Sequence, residues 1–134
     1  VNITDKFASQ LNEPQLQAVN SLRGQLLILA GAGSGKTRVL TYRIANLIAS
    51  KTAAPHEILA MTFTNKAAKS MQERAYKLLW EMGIPLNEYP LIGTFHSTCA
   101  RILRDHRSLL GFEQPFVIYD SSEQLSVIKK ASVT

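Results

Sequence analysis

Between Ala30 and Thr37 the chain reads Ala-Gly-Ala-Gly-Ser-Gly-Lys-Thr, and no other stretch constrains the fold as much. Glycines alternating with small residues allow backbone conformations that larger side chains forbid, and they keep the main chain open to close approach. Such a loop can aim successive N–H groups inward, and a helix that follows adds its positive N-terminal end. That arrangement suits the phosphate chain of a nucleotide. Ala32, Gly33, Ser34 and Gly35 form the backbone cradle. Lys36 stands where it can reach the terminal phosphates, and Thr37 can offer its hydroxyl to Mg²⁺. The motif opens with Ala30 instead of glycine. Its context supports it. The apolar run Leu26 to Ala30 reads as a buried strand, and the helix after the loop carries Leu40, Ile44, Leu47 and Ile48 on an inner face.

The rest of the chain alternates in the same way. Asn12-Glu13-Pro14-Gln15 is a helix start, with Asn12 as N-cap and Gln15 closing a capping box. Ile58 to Phe63 is a second strand. A long helix starts near Asn65, with Ala68, Met71, Ala75, Leu78 and Met82 as its apolar stripe and Glu73 and Lys77 on its wet side. Gly83 and Pro85 end it. Leu91 to Phe95 is a third strand candidate. His96 to Leu110 reads as a helix whose inner face is Cys99, Ile102, Leu103, His106 and Leu110, closed by Gly111. Phe116 to Tyr119 is extended, and a last helix follows. Strands alternating with helices predict an α/β fold built on a parallel sheet flanked by helices.

Composition bounds the partners. The formal net charge is +5, and between Lys36 and Lys77 eight Lys and Arg residues face two acidic ones, Glu57 and Glu73. That balance suits a polyanion, nucleotide or nucleic acid, although a solvated helix surface would look the same. No apolar run approaches the roughly 20 residues of a membrane span. The chain starts without a signal-peptide pattern and without Met, and it holds a single cysteine, Cys99. These features lead to the expectation of a reducing, cytoplasmic setting, no membrane partner and a trimmed N-terminus.

The phosphate loop by itself names only a superclass, and a small P-loop kinase or GTPase without a nucleic-acid partner stays open. Four segments taken together point further. Leu11 to Val19 resembles the Q motif of the UvrD/Rep/PcrA family of superfamily 1A DNA helicases. Ala30 to Thr37, with Arg38-Val39-Leu40, is similar to that family's motif I. Thr62-Phe63-Thr64-Asn65-Lys66-Ala67-Ala68 resembles motif Ia almost letter for letter, and Gly93-Thr94-Phe95-His96-Ser97 resembles motif Ib. The resemblance implies that Gln15 bonds the adenine edge, that Arg38 lies beside the base, and that Phe63, Thr64, Asn65, Thr94 and His96 touch single-stranded DNA. Lys66 is the weakest of these carry-overs. Read from the residues alone, Gln15 is a cap, Arg38 a solvated helix residue, Phe63 a core aromatic and His96 a first-turn residue bonding its own backbone.

Phe116-Val117-Ile118-Tyr119-Asp120 looks like a strand ending in a metal-binding aspartate, but Asp120-Ser121-Ser122-Glu123 is a capping box ahead of a helix. The family's metal motif ends in Asp-Glu, and no Asp-Glu pair occurs in this chain. The resemblance therefore implies an N-terminal fragment. Residues 1–95 would be part of a P-loop, RecA-like ATP-binding domain (1A), and residues 96–134 the start of a helical insertion (1B). The parent would be an ATP-dependent 3′-to-5′ DNA helicase using ATP and Mg²⁺ on single strands and single/double-strand junctions. Its motif II and second RecA-like domain would lie outside these residues, leaving the fragment catalytically incompetent.

Overall fold

Asn12 starts the first helix in the way its neighbours demand. Its Oδ1 accepts from Gln15 N at 3.0 Å while its own N–H donates to Gln15 Oε1 at 3.1 Å, so two orphan helix-end donors are satisfied reciprocally. In this computed structural model, which describes residues 8–31, 33–85, 87–113 and 115–132, that helix is α1, Glu13–Asn20. Helix α2, Lys36–Ala49, follows the glycine loop. Strand β1, Leu59–Thr62, leads into α3, Asn65–Glu81, and strand β2, Leu91–Thr94, into α4, Phe95–Asp105. The last helix is α5, Ser121–Ala131. The chain divides into two compact units, Val1–Thr98 and Cys99–Thr134.

The expected α/β character holds, and β1 and β2 pair in parallel with Leu59 opposite Leu91 and Thr62 opposite Thr94. A parallel pair needs a crossover, and α3 supplies it. Gln72 on α3 donates to Ile92 O at 2.8 Å, pinning the helix to the ladder it crosses. The core lies where α2 meets α1 and α3. Val19, Ala45, Ala75 and Leu79 are fully buried there, with Ile44, Ile48, Met71 and Ile92 around them. Two side chains of α2 also take carbonyls near the C-terminal end of α1. Arg43 donates to Ala18 O at 2.7 Å and Asn46 to Val19 O at 3.1 Å.

Several expectations need correction. Leu26 to Ala30 is not a ladder strand, and the described residues contain a sheet of two strands only. In this run only Ile28 packs against the core, while Leu27 and Leu29 are 82% and 86% exposed. A strand that reads apolar on every position needs neighbours on both edges and cover on both faces, and this run receives neither here. Helix α2 leaves Leu40 exposed and instead buries Val39, Thr41, Tyr42 and Ala45, because it packs between two helices rather than on one face. Helix α4 ends at Asp105. A single 3₁₀ turn, Arg107–Leu110, carries the chain to left-handed Gly111. Its expected inner face is exposed at Cys99, Ile102, Leu103, His106 and Leu110, and within α4 only Thr98 is buried. Glu73 and Lys77 are exposed as expected, and Lys77 lies 3.8 Å from Glu81. The Asp120 cap is as expected: it accepts from Ser122 and Glu123 N–H groups, and Glu123 reaches back to its N–H.

Candidate functional site

The glycine loop meets α2 at Gly35, which occupies the N-cap position with φ +86°. Glycine is required there twice over. The left-handed backbone disfavours any side chain, and a Cβ would sit 2.7 Å from Gln15 Nε2. Gly33 is also left-handed, at φ +74°. A glycine cap brings no side-chain acceptor. The N–H groups of Lys36, Thr37 and Arg38 accordingly take no acceptor among the described residues, which leaves an anion-ready helix end.

Lys36 folds back onto the loop. Its Nζ donates to Ala30 O at 2.9 Å and to Gly31 O at 2.6 Å, two carbonyls that stand in for anionic oxygen. Ser34 Oγ closes the same turn by donating to Gly31 O at 2.7 Å. Thr37 is exposed, and its hydroxyl has no partner among the described residues. Ala32, expected in the cradle, lies outside the described residues. A cleft of about 240 Å³ beside the loop is lined by Gln15, Ala30, Ser34, Lys36 and Val39.

Gln15 holds the cap and reaches the loop together. Its Oε1 serves Asn12 N–H while Nε2 donates to Ser34 O at 2.9 Å. The helix cap and the bond to the loop are thus carried by different atoms of one side chain. Arg38 is not simply solvated: its guanidinium donates to Gln10 O at 3.2 Å. Gln10 in turn accepts from the Tyr42 hydroxyl at 2.6 Å, and burial raises that hydroxyl's pKa above the usual tyrosine value.

A second cluster forms where β1 and β2 end side by side. Parallel register places Phe63 and Phe95 one step beyond the paired Thr62 and Thr94. The two rings lie 5.4 Å apart, tilted by 37°. Phe63 is 90% exposed, so it is no core aromatic. Thr64 caps α3 by accepting from Ala67 N–H at 3.1 Å, and Asn65 stands exposed in its first turn. His96 is exposed, and its ring bonds no backbone group among the described residues. Thr94 behaves differently. It is buried, and its hydroxyl accepts from Ser97 N–H at 3.2 Å as a cap for α4. Sequence reasoning missed Phe95 as the partner ring, although an aromatic directly after a strand and opposite Phe63 was the available signal. It also missed Gly93, where a Cβ would lie 3.0 Å from Ser97 Oγ and 3.1 Å from Thr98 Oγ1.

Loop, cap and aromatic pair all fall within residues 11–133, the span matched by the model of the UvrD/REP helicase N-terminal domain. The chain belongs to that family. It is 51% identical over 127 residues to the ATP-dependent DNA helicase PcrA of Bacillus subtilis (strain 168), covering 95% of this chain and 17% of that protein. The PcrA helicase of Staphylococcus aureus (strain Mu50) is 50% identical over 121 residues, covering 90% of this chain and 16% of its own length. That of Staphylococcus epidermidis is 50% identical over 123 residues. The chain therefore spans about one sixth of the relatives it matches. Membership in the UvrD/REP family sets aside the kinase and GTPase alternatives. No described helix is long and apolar enough to cross a membrane.

Proposed function

We propose that this chain is the ATP-binding N-terminal part of an ATP-dependent 3′-to-5′ DNA translocase and helicase. Residues 1–95 form part of a RecA-like P-loop domain, and residues 96–134 open a helical insertion. The observation that carries the reading is the loop end: α2 presents N–H groups with no acceptor among the described residues behind a glycine cap, with Lys36 parked on carbonyl oxygens that a phosphate can replace. Gly33, Ser34 and Gly35, with Ala32, would cradle the phosphates, Lys36 would meet the terminal ones, and Thr37 would offer its hydroxyl to Mg²⁺. The metal, when bound, neutralises charge developing on the phosphates. Gln15 and Arg38 stand on the base side of the loop.

Phe63, with Phe95 behind it, stacks a DNA base, and Thr64, Asn65 and His96 meet the strand beside it. Thr94 acts there through position, since its hydroxyl is committed to the α4 cap. Partners are single-stranded DNA, its junctions with duplex, and the remaining motor segments.

The deciding experiment is Lys36→Ala in the parent protein, read by ATP hydrolysis and by ADP binding. Loss of hydrolysis is expected, with ADP weakened. Undiminished hydrolysis would sink the assignment of the loop.

A further inference from the structure

A cavity of about 460 Å³, open to solvent, is lined by residues of α2 and α3 together with Gln10, and its described lining includes neither Lys36 nor Thr37. Helical spacing builds both walls. Arg38 and Tyr42 stand at i,i+4 on α2, while Lys77 and Leu78 lie three and four residues after Arg74 on α3. Most of the lining is internally committed. Arg38 and Tyr42 are both held by Gln10, and Lys77 lies 3.8 Å from Glu81. Arg74 is not: its guanidinium has no ion-pair or hydrogen-bond partner among the described residues. Among the described lining residues, three cations thus face one carboxylate, Glu81, across a space whose remaining walls include the apolar Leu78 and the buried Tyr42.

We propose that this cavity binds a phosphorylated small molecule of sugar-phosphate to nucleotide size. Its volume falls in the range of about 300–1,000 Å³ typical of small-ligand sites. Arg74 takes the phosphate, because a guanidinium fork matches phosphate oxygens in pairs, and Lys77 adds a second positive charge. Leu78 receives the uncharged part of the ligand. The site is distinct from the aromatic pair: Arg74 follows Asn65 by nine residues, about 13 Å along the helix axis. Arg38 is the one residue it shares with the proposed nucleotide cleft, and the proposal does not depend on that cleft binding ATP.

Titration calorimetry of the chain with ribose 5-phosphate tests this. One saturable site is expected, unchanged in Lys36→Ala and weakened at least tenfold in Arg74→Ala. Arg74 is exposed and has no polar partner among the described residues, so the variant is expected to keep its fold, which circular dichroism checks. Binding insensitive to Arg74→Ala, no binding at millimolar probe, or binding abolished by Lys36→Ala would each overturn the proposal. Competition by a short single-stranded oligonucleotide at equal affinity per phosphate would also overturn it, assigning the cavity to nucleic acid. Loss of ADP binding in Lys36→Ala, with ribose 5-phosphate still bound, separates the two sites. ADP bound equally well by Lys36→Ala would count against the loop reading alone.

Discussion

At the scale of single residues, the site depends on a few atoms with two duties. Gly35 joins the loop to α2 in a left-handed conformation, and Gln15 occupies the space a Cβ there would need. Gly35→Ala is expected to cost about 1–2 kcal/mol for the backbone, plus the displaced Gln15–Ser34 bond. In a Gln15→Ala background the same change should cost less, since the obstructing amide is gone. Denaturant titration of the two single variants and the double variant measures this coupling, and strict additivity would contradict the contact. Phe63 gives the opposite expectation. Its ring is nearly all in solvent, so Phe63→Ala should change folding stability by no more than about 0.5 kcal/mol. It should lower single-strand DNA affinity in the parent by about 1–3 kcal/mol. The salt dependence of binding should barely change, because stacking releases no counterions. Unchanged DNA affinity would remove Phe63 from the interface.

At the scale of elements, capping explains where helices begin, and packing explains which of them are held. Helix α5 starts at Asp120, whose carboxylate accepts from the Ser122 hydroxyl and from the Ser122 and Glu123 N–H groups. The bond from the Ser122 side chain, then that from the Glu123 backbone, hold its pKa below the usual aspartate value. The folded pKa is the lower one, so the cap's contribution is complete above the ordinary aspartate pKa and is lost as pH falls through the folded value. Helicity of α5 should therefore drop on acidification below the usual aspartate range, and Asp120→Ala should remove that step. Amide exchange at Ser122 and Glu123 reports it, and an unchanged profile in Asp120→Ala would refute the assignment. Helix α3 is secured by burial. Leu79 is fully enclosed, and Leu79→Ala should cost about 2–5 kcal/mol in thermal or denaturant unfolding.

At the scale of the whole molecule, binding and turnover come apart. Phosphoryl transfer needs the metal held from a second side and a positioned water, and no Asp-Glu pair follows a strand in these 134 residues. The chain alone is expected to show no steady-state ATP hydrolysis and no unwinding. Robust Mg²⁺-dependent turnover by it would overturn the domain reading. The exposed Leu27 and Leu29 belong to the same picture. The segment that leads into the loop has strand composition without ladder partners among the described residues.

What the amino-acid order determined by itself was local. The Asn12 and Asp120 capping boxes, the glycine loop, the two strand segments at Leu59–Thr62 and Leu91–Thr94, and the stripe of α3 were all legible, because each depends on residues close together in the chain. The motif letters were legible for the same reason. Tertiary structure alone decided which apolar positions are covered. Leu40 and the inner face of α4 have the right period but lie exposed, while Tyr42 and Thr41 are buried, since burial depends on which neighbour arrives and not on spacing. It also decided that Gln15 bonds across to Ser34, that Thr94 is buried as a cap, and that Phe63 meets Phe95. Those contacts join segments 19 to 32 residues apart, or turn on strand register, which no local pattern specifies.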